Sequence, residues 1–189
     1  MEQKKELRKR GIQARNLLTS EKRTTYSARI AEQIISLEEF QRAHTILIYK
    51  ATVGEVNLEL LETSSKAQDK RFVYPYCISK SEMTALQPYD EDAWVTGRYG
   101  ILEPIPERSR EISPEEIDLV ICPCTAFDEA CNRIGMGAGY YDRYLKLCTN
   151  TNIIAVAFEA QKVKEVPVEP WDRAMEKVIT EQSIYLSVK

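Results

Sequence analysis

Three of the seven glycines in this 189-residue chain lie at alternate positions within residues 133–143, which read Arg-Ile-Gly-Met-Gly-Ala-Gly-Tyr-Tyr-Asp-Arg. Alternating glycines remove Cβ atoms from one side of the backbone, so its N–H groups can approach an anion closely. Arg133 precedes the glycines and Asp142 follows them, so the segment also supplies a guanidinium for phosphate and a carboxylate for a metal ion. The pattern therefore favours a loop that binds a phosphorylated ligand.

The segment differs from two common phosphate-binding loops. It lacks the Gly-Lys-Ser/Thr ending of a Walker loop, and Tyr140 stands where the dinucleotide fingerprint has its third glycine. Two alternatives remain open: the glycines could form an ordinary turn, and Asp142 could form a structural ion pair with Arg133 or Arg143. The adjacent tyrosines and the flanking charges favour the ligand-binding interpretation.

The elements around this loop are expected to hold it at the edge of a sheet. The apolar run 119–123 predicts a buried strand that leads into the loop, and a helix is predicted from Tyr140 or Tyr141 to about Cys148. Further strands are predicted at 45–49, 71–76, 83–87, 152–158 and 177–180, with a helix over 58–67 capped by Asn57. This alternation predicts an α/β fold, a three-layer α/β/α arrangement with a mostly parallel central sheet. Ligands bind outside the carboxyl ends of such strands, where the glycine segment would lie.

An N-terminal helical pair is predicted before the first strand, over residues 2–17 and from Ser20 to about residue 37. Lys4 and Arg8 are four residues apart and so project from one face, beside Leu7 as the inward contact. A solvated basic helix is the alternative interpretation. Residues 88–118 contain many turn-forming residues and predict a long loop with either a functional role or high mobility.

Length and composition narrow the class of protein. The length predicts a single domain over residues 1–189. The net charge of −3 disfavours a general nucleic-acid binder, and no apolar run approaches the roughly 20 residues that span a membrane. The first ten residues lack the apolar stretch of a secretory signal, so a cytoplasmic location is expected.

The chain contains five cysteines, an odd number that favours reduced thiols over a disulfide framework. Cys122, Cys124, Cys131 and the only histidine, His44, could in principle hold zinc. Their spacing fits none of the usual ligand patterns, so buried or half-buried thiols are expected instead.

Residues 133–143 resemble the signature of the 5-formyltetrahydrofolate cyclo-ligase family. Other segments resemble further parts of that family in the same order, namely 4–8, 49–56, 83–104, 118–128 and 166–180. The resemblance covers about residues 4–181, and the order and spacing of these segments make it specific.

The resemblance implies an enzyme that closes 5-formyltetrahydrofolate to 5,10-methenyltetrahydrofolate with ATP and Mg²⁺, releasing ADP and phosphate. Resonance makes the N-formyl carbon a poor electrophile, and phosphorylation of the formyl oxygen turns that oxygen into a good leaving group. Such an enzyme must align two ligands and stabilise phosphate charge. The implied partners are these small molecules, with no nucleic acid and no membrane, and the chain is expected to be a monomer.

On the nucleotide side, the resemblance implies catalytic roles for Arg133, Tyr140 and Asp142. The ATP contacts that it implies are Lys4, Lys5, Arg8, Arg133, Gly135, Gly137, Gly139 and Tyr141. Asp142 matches the family's Mg²⁺ carboxylate, and Glu176 stands where the family tends to have a second metal-side aspartate. The extra methylene of Glu176 would shift its carboxylate relative to that of an aspartate.

On the folate side, the implied contacts are Lys50, Glu55, Tyr99, Met136, Gly137, Ala138, Gly139 and Tyr140. The Glu55 carboxylate suits the donor-rich edge of a pterin, and the Tyr99 ring suits stacking on it. Glu55 could instead be an acid at a helix entry, and Tyr99 an ordinary loop residue. The chain departs from the usual family pattern at Cys131, Met136, Ala138 and the pair Asn57-Leu58.

Two other classes of function compete with an enzyme. A regulatory nucleotide-binding module would keep the phosphate loop without the chemistry, but it would have no use for Glu55 and Tyr99. An RNA-associated protein would use the basic N-terminal helix, which the net charge of −3 disfavours.

Overall fold

The computed structural model describes residues 2–97, 100–169 and 172–187. Its α-helices are α1 (Glu2–Asn16), α2 (Ser20–Ser36), α3 (Glu38–Arg42), α4 (Glu59–Thr63) and α5 (Tyr140–Tyr144). Its strands are β1 (Thr45–Leu47), β2 (Arg71–Cys77), β3 (Met83–Pro88), β4 (Trp94–Thr96), β5 (Leu102–Pro104), β6 (Ser109–Ile112), β7 (Leu119–Pro123), β8 (Ala126–Phe127), β9 (Arg133–Ile134), β10 (Asn152–Val156), β11 (Lys177–Ile179) and β12 (Ile184–Leu186). None of the helices within these ranges has the length and apolar character needed to cross a lipid bilayer.

Eight strands form one sheet in the order β12-β11-β10-β7-β1-β2-β3-β6. The central strands β11, β10, β7, β1 and β2 run parallel to one another. The outer strands are antiparallel to their neighbours, with β12 at one edge and β3 and β6 at the other. The predicted α/β fold with a mostly parallel central sheet is therefore confirmed.

Alternate residues of the central strands point to opposite faces of the sheet, and each face is covered. On one face, Ile46 and Ile121 pack with Ile34 of α2 and with residues of α3 and α4. On the other face, Val120 packs with Tyr144 of α5 and with residues of the β8–β9 hairpin. The sheet is thus the middle of three layers, as the alternation of elements predicts.

The two N-terminal helices are consecutive in the chain but pack against different parts of the molecule. α2 packs against α3, α4 and β11, whereas α1 packs against the β8–β9 hairpin and the turn Glu159–Gln161. Leu7 is one of the inward residues of α1 and packs beside Ala126 of the hairpin. A Cβ atom on Gly11 would lie 1.8 Å from the carbonyl oxygen of Thr125. The approach of α1 to this hairpin therefore requires a glycine at position 11.

Two helix boundaries differ from the prediction because side chains cap the backbone at other positions. Thr19, rather than Ser20, caps α2, since its hydroxyl oxygen accepts a hydrogen bond from the Lys22 amide at 3.2 Å. The helix predicted over 58–67 is interrupted at Ser64, which is extended and accepts a hydrogen bond from the Lys66 amide. α4 therefore ends early and a short 3₁₀ turn follows it.

The predicted loop 88–118 contains three strands, β4, β5 and β6, of which β6 joins the main sheet beside β3. β12 extends the sheet beyond the last predicted strand, and α5 ends about one turn before Cys148. The four unpredicted strands have three or four residues each and are partly exposed, namely β4, β5, β6 and β12. Such short segments carry little hydrophobic periodicity, which is why the sequence does not reveal them.

Candidate active site

The glycine loop (residues 135–139) connects β9 to α5 near the carboxyl ends of the parallel strands. β7 ends at Pro123, and the β8–β9 hairpin that follows it leads directly into the loop. Gly137 and Gly139 have φ values of 107° and 69°, a region that residues with a Cβ atom rarely adopt. The loop therefore lies at the sheet edge where α/β proteins bind ligands, in a conformation that depends on glycine.

Arg133 forms a largely buried ion pair next to the loop. Its Nη2 atom donates a hydrogen bond to Asp142 Oδ1 at 2.8 Å, and the Arg133 side chain is 3% exposed. Its Nε atom is buried and has no hydrogen-bond partner among the described residues. The structural ion pair considered for Asp142 is thus present, yet an unused donor of Arg133 remains for an anionic ligand.

Tyr141 supplies a second unused donor beside Arg133. Its ring centre lies 5.9 Å from the guanidinium carbon of Arg133, and its hydroxyl is buried without a hydrogen-bond partner among the described residues. Burial raises the pKa of the Tyr141 phenol well above its ordinary value, so the hydroxyl stays protonated at neutral pH.

Tyr140 and Arg143 connect the start of α5 to the turn between β2 and β3. The Tyr140 hydroxyl donates to the Ser79 carbonyl oxygen at 2.8 Å, and Arg143 Nε donates to the Ser81 carbonyl oxygen at 2.6 Å. Arg143 Nη2 also donates to the Ala138 carbonyl oxygen within the glycine loop, at 2.6 Å. The loop and this turn are therefore held together by side chains of α5.

The predicted nucleotide contacts of α1 lie next to the glycine loop. Arg8 Nε donates to the Gly135 carbonyl oxygen at 2.8 Å, and a Cβ atom on Gly137 would lie 3.2 Å from the Arg8 guanidinium carbon. An open groove of about 580 Å³ runs along the first turns of α1 and is lined by Lys5, Arg8 and Lys9, among others. Arg8 thus places one guanidinium of α1 against the loop.

Lys4 is held by two carboxylates of the C-terminal segment. Its Nζ atom donates to Glu169 Oε2 at 2.9 Å and also to Asp172. Burial alone would lower the pKa of Lys4, but the hydrogen bonds to Asp172 and Glu169 outweigh that effect and raise the pKa. A phosphate group would have to compete with these carboxylates for Lys4.

Glu55 lies in a tight turn after β1 and is tied to α1. Its Oε1 atom is 3.5 Å from Nη1 of Arg15, and its Oε2 atom accepts a hydrogen bond from the Thr52 amide at 2.9 Å. The side chains of Glu55 and Arg15 are 10% and 5% exposed. Burial and the nearby Glu55 carboxylate raise the pKa of Tyr49 well above its ordinary value. Glu55 is therefore a shielded carboxylate and not a solvent-exposed acid at a helix entry.

Lys50 lines a separate pocket of about 200 Å³ beside α4. Its Nζ atom is 2.8 Å from Glu62 Oε1, and it lies 5.0 Å and 5.1 Å from the ring centres of Tyr74 and Trp94. Lys50 is thus already paired with a carboxylate. Tyr99, the predicted stacking partner of the folate, lies outside the described residues.

Glu176, the second residue predicted at the metal ion, lies just before β11. The Glu176 amide donates to the Ile153 carbonyl oxygen, at the amino-terminal end of β10 and just before β11 begins. Val120 pairs with Ile153, so Glu176 lies about three residues, or roughly 10 Å, short of the level at which β7 ends. The preceding residue, Met175, donates a backbone hydrogen bond to the Cys131 carbonyl oxygen at 2.9 Å, so Glu176 also lies near the β8–β9 hairpin that carries Arg133.

The remaining loop residues are open to solvent. Met136 is 63% exposed and Ala138 is also exposed, so both side chains are accessible to a ligand at the loop surface. The described ranges contain no group of three or more His, Cys, Asp or Glu side chains with metal-binding geometry. None of the five cysteines forms a disulfide; four of them are buried and Cys77 is partly exposed.

Arg15, Ser79 and Ser81 join the site without being predicted. Ser79 and Ser81 act through backbone carbonyl groups, which no residue type reveals. Arg15 has a weak sequence signal: Lys4, Arg8 and Arg15 are spaced by four and seven residues, and so share one face of α1.

Together, the fold and the site define an α/β protein with a glycine loop, a buried arginine and a basic helix at the carboxyl edge of a mostly parallel sheet. The model of the 5-formyltetrahydrofolate cyclo-ligase family matches residues 1–181. The chain therefore belongs to this family of enzymes.

Individual relatives agree with the family match. The 5-formyltetrahydrofolate cyclo-ligase of Haemophilus influenzae is 30% identical over 147 residues, which cover 76% of this chain and 79% of that protein. The protein of the same name from Escherichia coli K12 is 28% identical, with coverage of 92% and 97%. The Aquifex aeolicus 5,10-methenyltetrahydrofolate synthetase structure superposes with a TM-score of 0.83 at 28% identity, covering 98% of this chain and 93% of that one. The Mycoplasma pneumoniae synthetase structure has a TM-score of 0.78 at 25% identity, with coverage of 94% and 98%.

Proposed function

We propose that this protein catalyses the ATP- and Mg²⁺-dependent cyclisation of 5-formyltetrahydrofolate to 5,10-methenyltetrahydrofolate, with release of ADP and phosphate. The observation that carries this proposal is the path of α1. Arg8 contacts the glycine loop, and Arg15, seven residues or about 10 Å further along the same helix, contacts Glu55. The residues proposed to bind ATP and those proposed to bind folate therefore contact the same helix. This arrangement supports a reaction between the two ligands.

The nucleotide phosphates are proposed to bind between α1 and the glycine loop. The loop amides near Gly135, Gly137 and Gly139 would donate to phosphate oxygens, since positive φ values such as those of two of these glycines occur in loops whose successive N–H groups bind one anion. Arg8 and the unused Nε donor of Arg133 add charge-assisted hydrogen bonds. The Tyr141 hydroxyl and the exposed ammonium of Lys5 would complete this donor set, and Lys4 would exchange its carboxylates for phosphate.

Asp142 has the properties of a Mg²⁺ ligand in such a site. Its carboxylate is 37% exposed although one oxygen accepts a hydrogen bond from Arg133. Mg²⁺ at phosphate sites is usually held by one or two carboxylates, phosphate oxygens and water, so a larger protein cluster is not required. When bound, Mg²⁺ would neutralise charge on the phosphates. Glu176 is proposed as the second carboxylate, since Met175 beside it is hydrogen-bonded to Cys131, two residues before Arg133.

The proposed chemistry proceeds by displacement of ADP and then of phosphate. The formyl oxygen attacks the γ-phosphorus of ATP and the bond to ADP breaks. N10 then attacks the activated formyl carbon, phosphate leaves with the former formyl oxygen, and N10 loses its proton. Arg133 and Tyr140 would stabilise charge during phosphoryl transfer, and the hydrogen bond from Tyr140 to Ser79 fixes the orientation of that ring.

The folate is proposed to bind on the Glu55 side of α1. The Glu55 carboxylate would accept hydrogen bonds from the N–H groups of the pterin, with Tyr99 stacking on its ring. Met136, Ala138 and the neighbouring glycines would contact the folate at the loop surface. Lys50, paired with Glu62 in the pocket beside α4, would contact it only if that ion pair opens.

The direct test is to mix the purified protein with 5-formyltetrahydrofolate and record the absorbance of the methenyl product. We expect the product to form only when both ATP and Mg²⁺ are present. Omission of ATP, and addition of excess EDTA, are the matched controls. Product formation without ATP, or none with every component present, would contradict the proposal.

Ligand-dependent stabilisation separates the enzyme from a regulatory nucleotide-binding module. A ligand that binds the native state raises the melting temperature. An enzyme with both sites is stabilised by MgATP and, separately, by 5-formyltetrahydrofolate, whereas a nucleotide-binding module is stabilised by MgATP alone. A salt titration with single-stranded RNA would test the RNA-associated alternative.

We also propose that the chain is a single domain that acts as a monomer in the cytoplasm. Support for one domain comes from the two core clusters, which lie on opposite faces of the same sheet. Light scattering of the purified protein tests the monomer, and fractionation of cells tests the location.

A further inference from the structure

Arg15 is a buried cation that the proposed chemistry leaves without a role. α1 buries three residues, Leu7, Gly11 and Arg15, and their spacing of four residues aligns them on the face that docks against the molecule. Leu7 and Gly11 contact the β8–β9 hairpin region, whereas Arg15 reaches the turn that carries Glu55. The docking face of α1 therefore ends in a charge directed at a residue proposed to bind folate.

The Glu55 carboxylate is held at both oxygens. The Thr52 amide donates to Oε2 at 2.9 Å, and Arg15 Nη1 lies 3.5 Å from Oε1. A carboxylate accepts about four hydrogen bonds, so these two contacts leave acceptor capacity for ligand donors. A carboxylate that is only 10% exposed also needs a counter-charge, because burial of an unpaired charge is costly.

The turn that carries Glu55 packs closely against the C-terminal end of α1. Gly54 has a φ of 91°, and a Cβ atom there would lie 2.7 Å from Asn16 Oδ1 and 3.6 Å from Arg15 Nε. The side chain of Arg15 thus packs directly against the backbone of this turn. Movement of Arg15 would therefore change the position of Glu55.

Stability alone does not account for Arg15. Its Nε atom is buried and has no hydrogen-bond partner among the described residues, and the distance to Glu55 is long for a strong ion pair. A pair of apolar side chains at positions 15 and 55 would avoid both costs if nothing else were required of these residues. A loose contact of this kind is typical of an active site without its ligand.

We propose that Arg15 is a positioning residue of the folate site, which holds the Glu55 carboxylate in the orientation that accepts hydrogen bonds from the pterin. This inference rests on the proposed function. The ligand it concerns is a planar heterocycle with adjacent N–H donors, and not the triphosphate. Arg15 therefore controls folate affinity through Glu55, at a distance from the nucleotide contacts of Arg8.

The test compares binding of the two ligands to variants of the full-length protein by calorimetry. Arg15→Met keeps the apolar stem but removes the charge, and we expect it to raise the Kd of 5-formyltetrahydrofolate about tenfold while changing that of MgATP less than twofold. Arg15→Lys restores a charge without the planar geometry and should recover part of the affinity. Arg10→Met, on the exposed side of the same helix, is the matched control and should change neither Kd.

Dependence on Glu55 is tested by a double-mutant cycle. If Arg15 acts through Glu55, adding Arg15→Met to Glu55→Gln should cause little further loss of folate affinity. Independent, multiplying effects of the two substitutions would overturn the proposal, as would equal losses for MgATP and folate. If Arg15→Met does not fold, Arg15→Lys alone and with Glu55→Gln provides the same comparison.

Failure of this inference is distinguishable from failure of the proposed function. If the wild-type protein binds neither ligand, or forms no methenyl product, the proposed function is wrong. Wild-type protein that forms the product while Arg15→Met keeps normal folate affinity overturns only the role of Arg15.

Discussion

The pair Arg133–Asp142 joins two functions at the scale of single residues. The ion pair explains how a guanidinium can be 3% exposed, because Asp142 provides its counter-charge. The same carboxylate is the proposed Mg²⁺ ligand, so arrival of MgATP would bring a cation to Asp142 and phosphate to Arg133 together. Each member of the pair would then gain a partner of opposite charge without leaving the other unpaired.

Asp142→Asn tests the carboxylate. The amide keeps the shape but loses the charge that would hold Mg²⁺, so we expect turnover to fall by about ten- to a hundredfold, as for loss of a charge-assisted contact. Turnover is measured over a range of Mg²⁺ concentrations. The control is Asp90→Asn, which alters the exposed ion pair of Asp90 with Arg108. Normal turnover of Asp142→Asn at low Mg²⁺ would remove the metal role.

Arg133→Lys tests the guanidinium. A lysine keeps one charge but cannot serve Asp142 and a phosphate with a planar set of donors, so we expect the KM for MgATP to rise about tenfold. The KM for folate should change much less. Arg108→Lys, in the exposed pair with Asp90, is the matched control. Unchanged steady-state kinetics in Arg133→Lys would show that Arg133 is structural.

At the scale of elements, α1 is the part of the fold that assembles the site. Its residues contact the C-terminal segment through Lys4, the glycine loop through Arg8 and the turn after β1 through Arg15. These three segments are far apart in the chain. The exact seating of α1 on the β8–β9 hairpin therefore determines whether the proposed ATP and folate contacts exist together.

Gly11→Ala tests that seating. Alanine normally stabilises a helix relative to glycine by roughly 1 kcal/mol, but here its Cβ atom would overlap the Thr125 carbonyl oxygen. We expect activity to fall strongly and the amides of α1 to lose protection in hydrogen exchange. The sheet amides should stay protected.

Arg10→Ala is the control for this substitution, since Arg10 lies on the exposed side of α1 and the change also favours a helix. It should leave both exchange and activity near wild type. Full activity of Gly11→Ala would show that α1 docks differently.

At the scale of the whole molecule, two buried thiols make the free energy of unfolding decrease at alkaline pH. Burial raises the pKa of Cys122 and of Cys124 from 9.0 to about 12. Between these values the unfolded chain has lost the thiol protons while the folded protein still holds them, so the free energy of unfolding decreases as pH rises. Each thiol contributes a decrease of about 1.4 kcal/mol per pH unit in that range.

Denaturant titrations from pH 7 to 11 measure this effect. We expect a nearly constant unfolding midpoint up to about pH 8.5 and a progressive fall above pH 9. The double variant Cys122→Ala/Cys124→Ala should be less stable at pH 7 but should lose stability less steeply with pH. A midpoint that does not change up to pH 11 would contradict the prediction.

Much of the central sheet is predictable from the sequence, because its buried strands have continuous apolar runs. The run 119–123 corresponds to β7 with both ends correct, and Leu7 is an inward residue of α1 as its spacing predicts. The glycine segment also predicts a loop, since glycine permits the positive φ values that this loop adopts. These features depend on local periodicity or on residue type.

The remainder depends on contacts between distant residues. Arg15 and Glu55 are 40 positions apart, and Tyr140 is 61 positions from the Ser79 carbonyl group that it contacts. No local pattern specifies which segments meet. The surroundings of Glu176 are unpredictable for the same reason, because an acidic residue type does not indicate which segments its neighbours contact.

The contacts of α1 can form only in a certain order while the chain is being synthesised. Lys4 and Glu169 are separated by 165 positions, so the ribosome completes nearly all of this sequence between one partner and the other. Until then α1 lacks the C-terminal carboxylates, although the hairpin that directly follows β7 is already available to it. Long-range contacts of this kind form late in folding. A nascent chain would therefore be able to dock α1 on the hairpin before Lys4 meets its carboxylates, so the amino-terminal end of the helix would be fixed last.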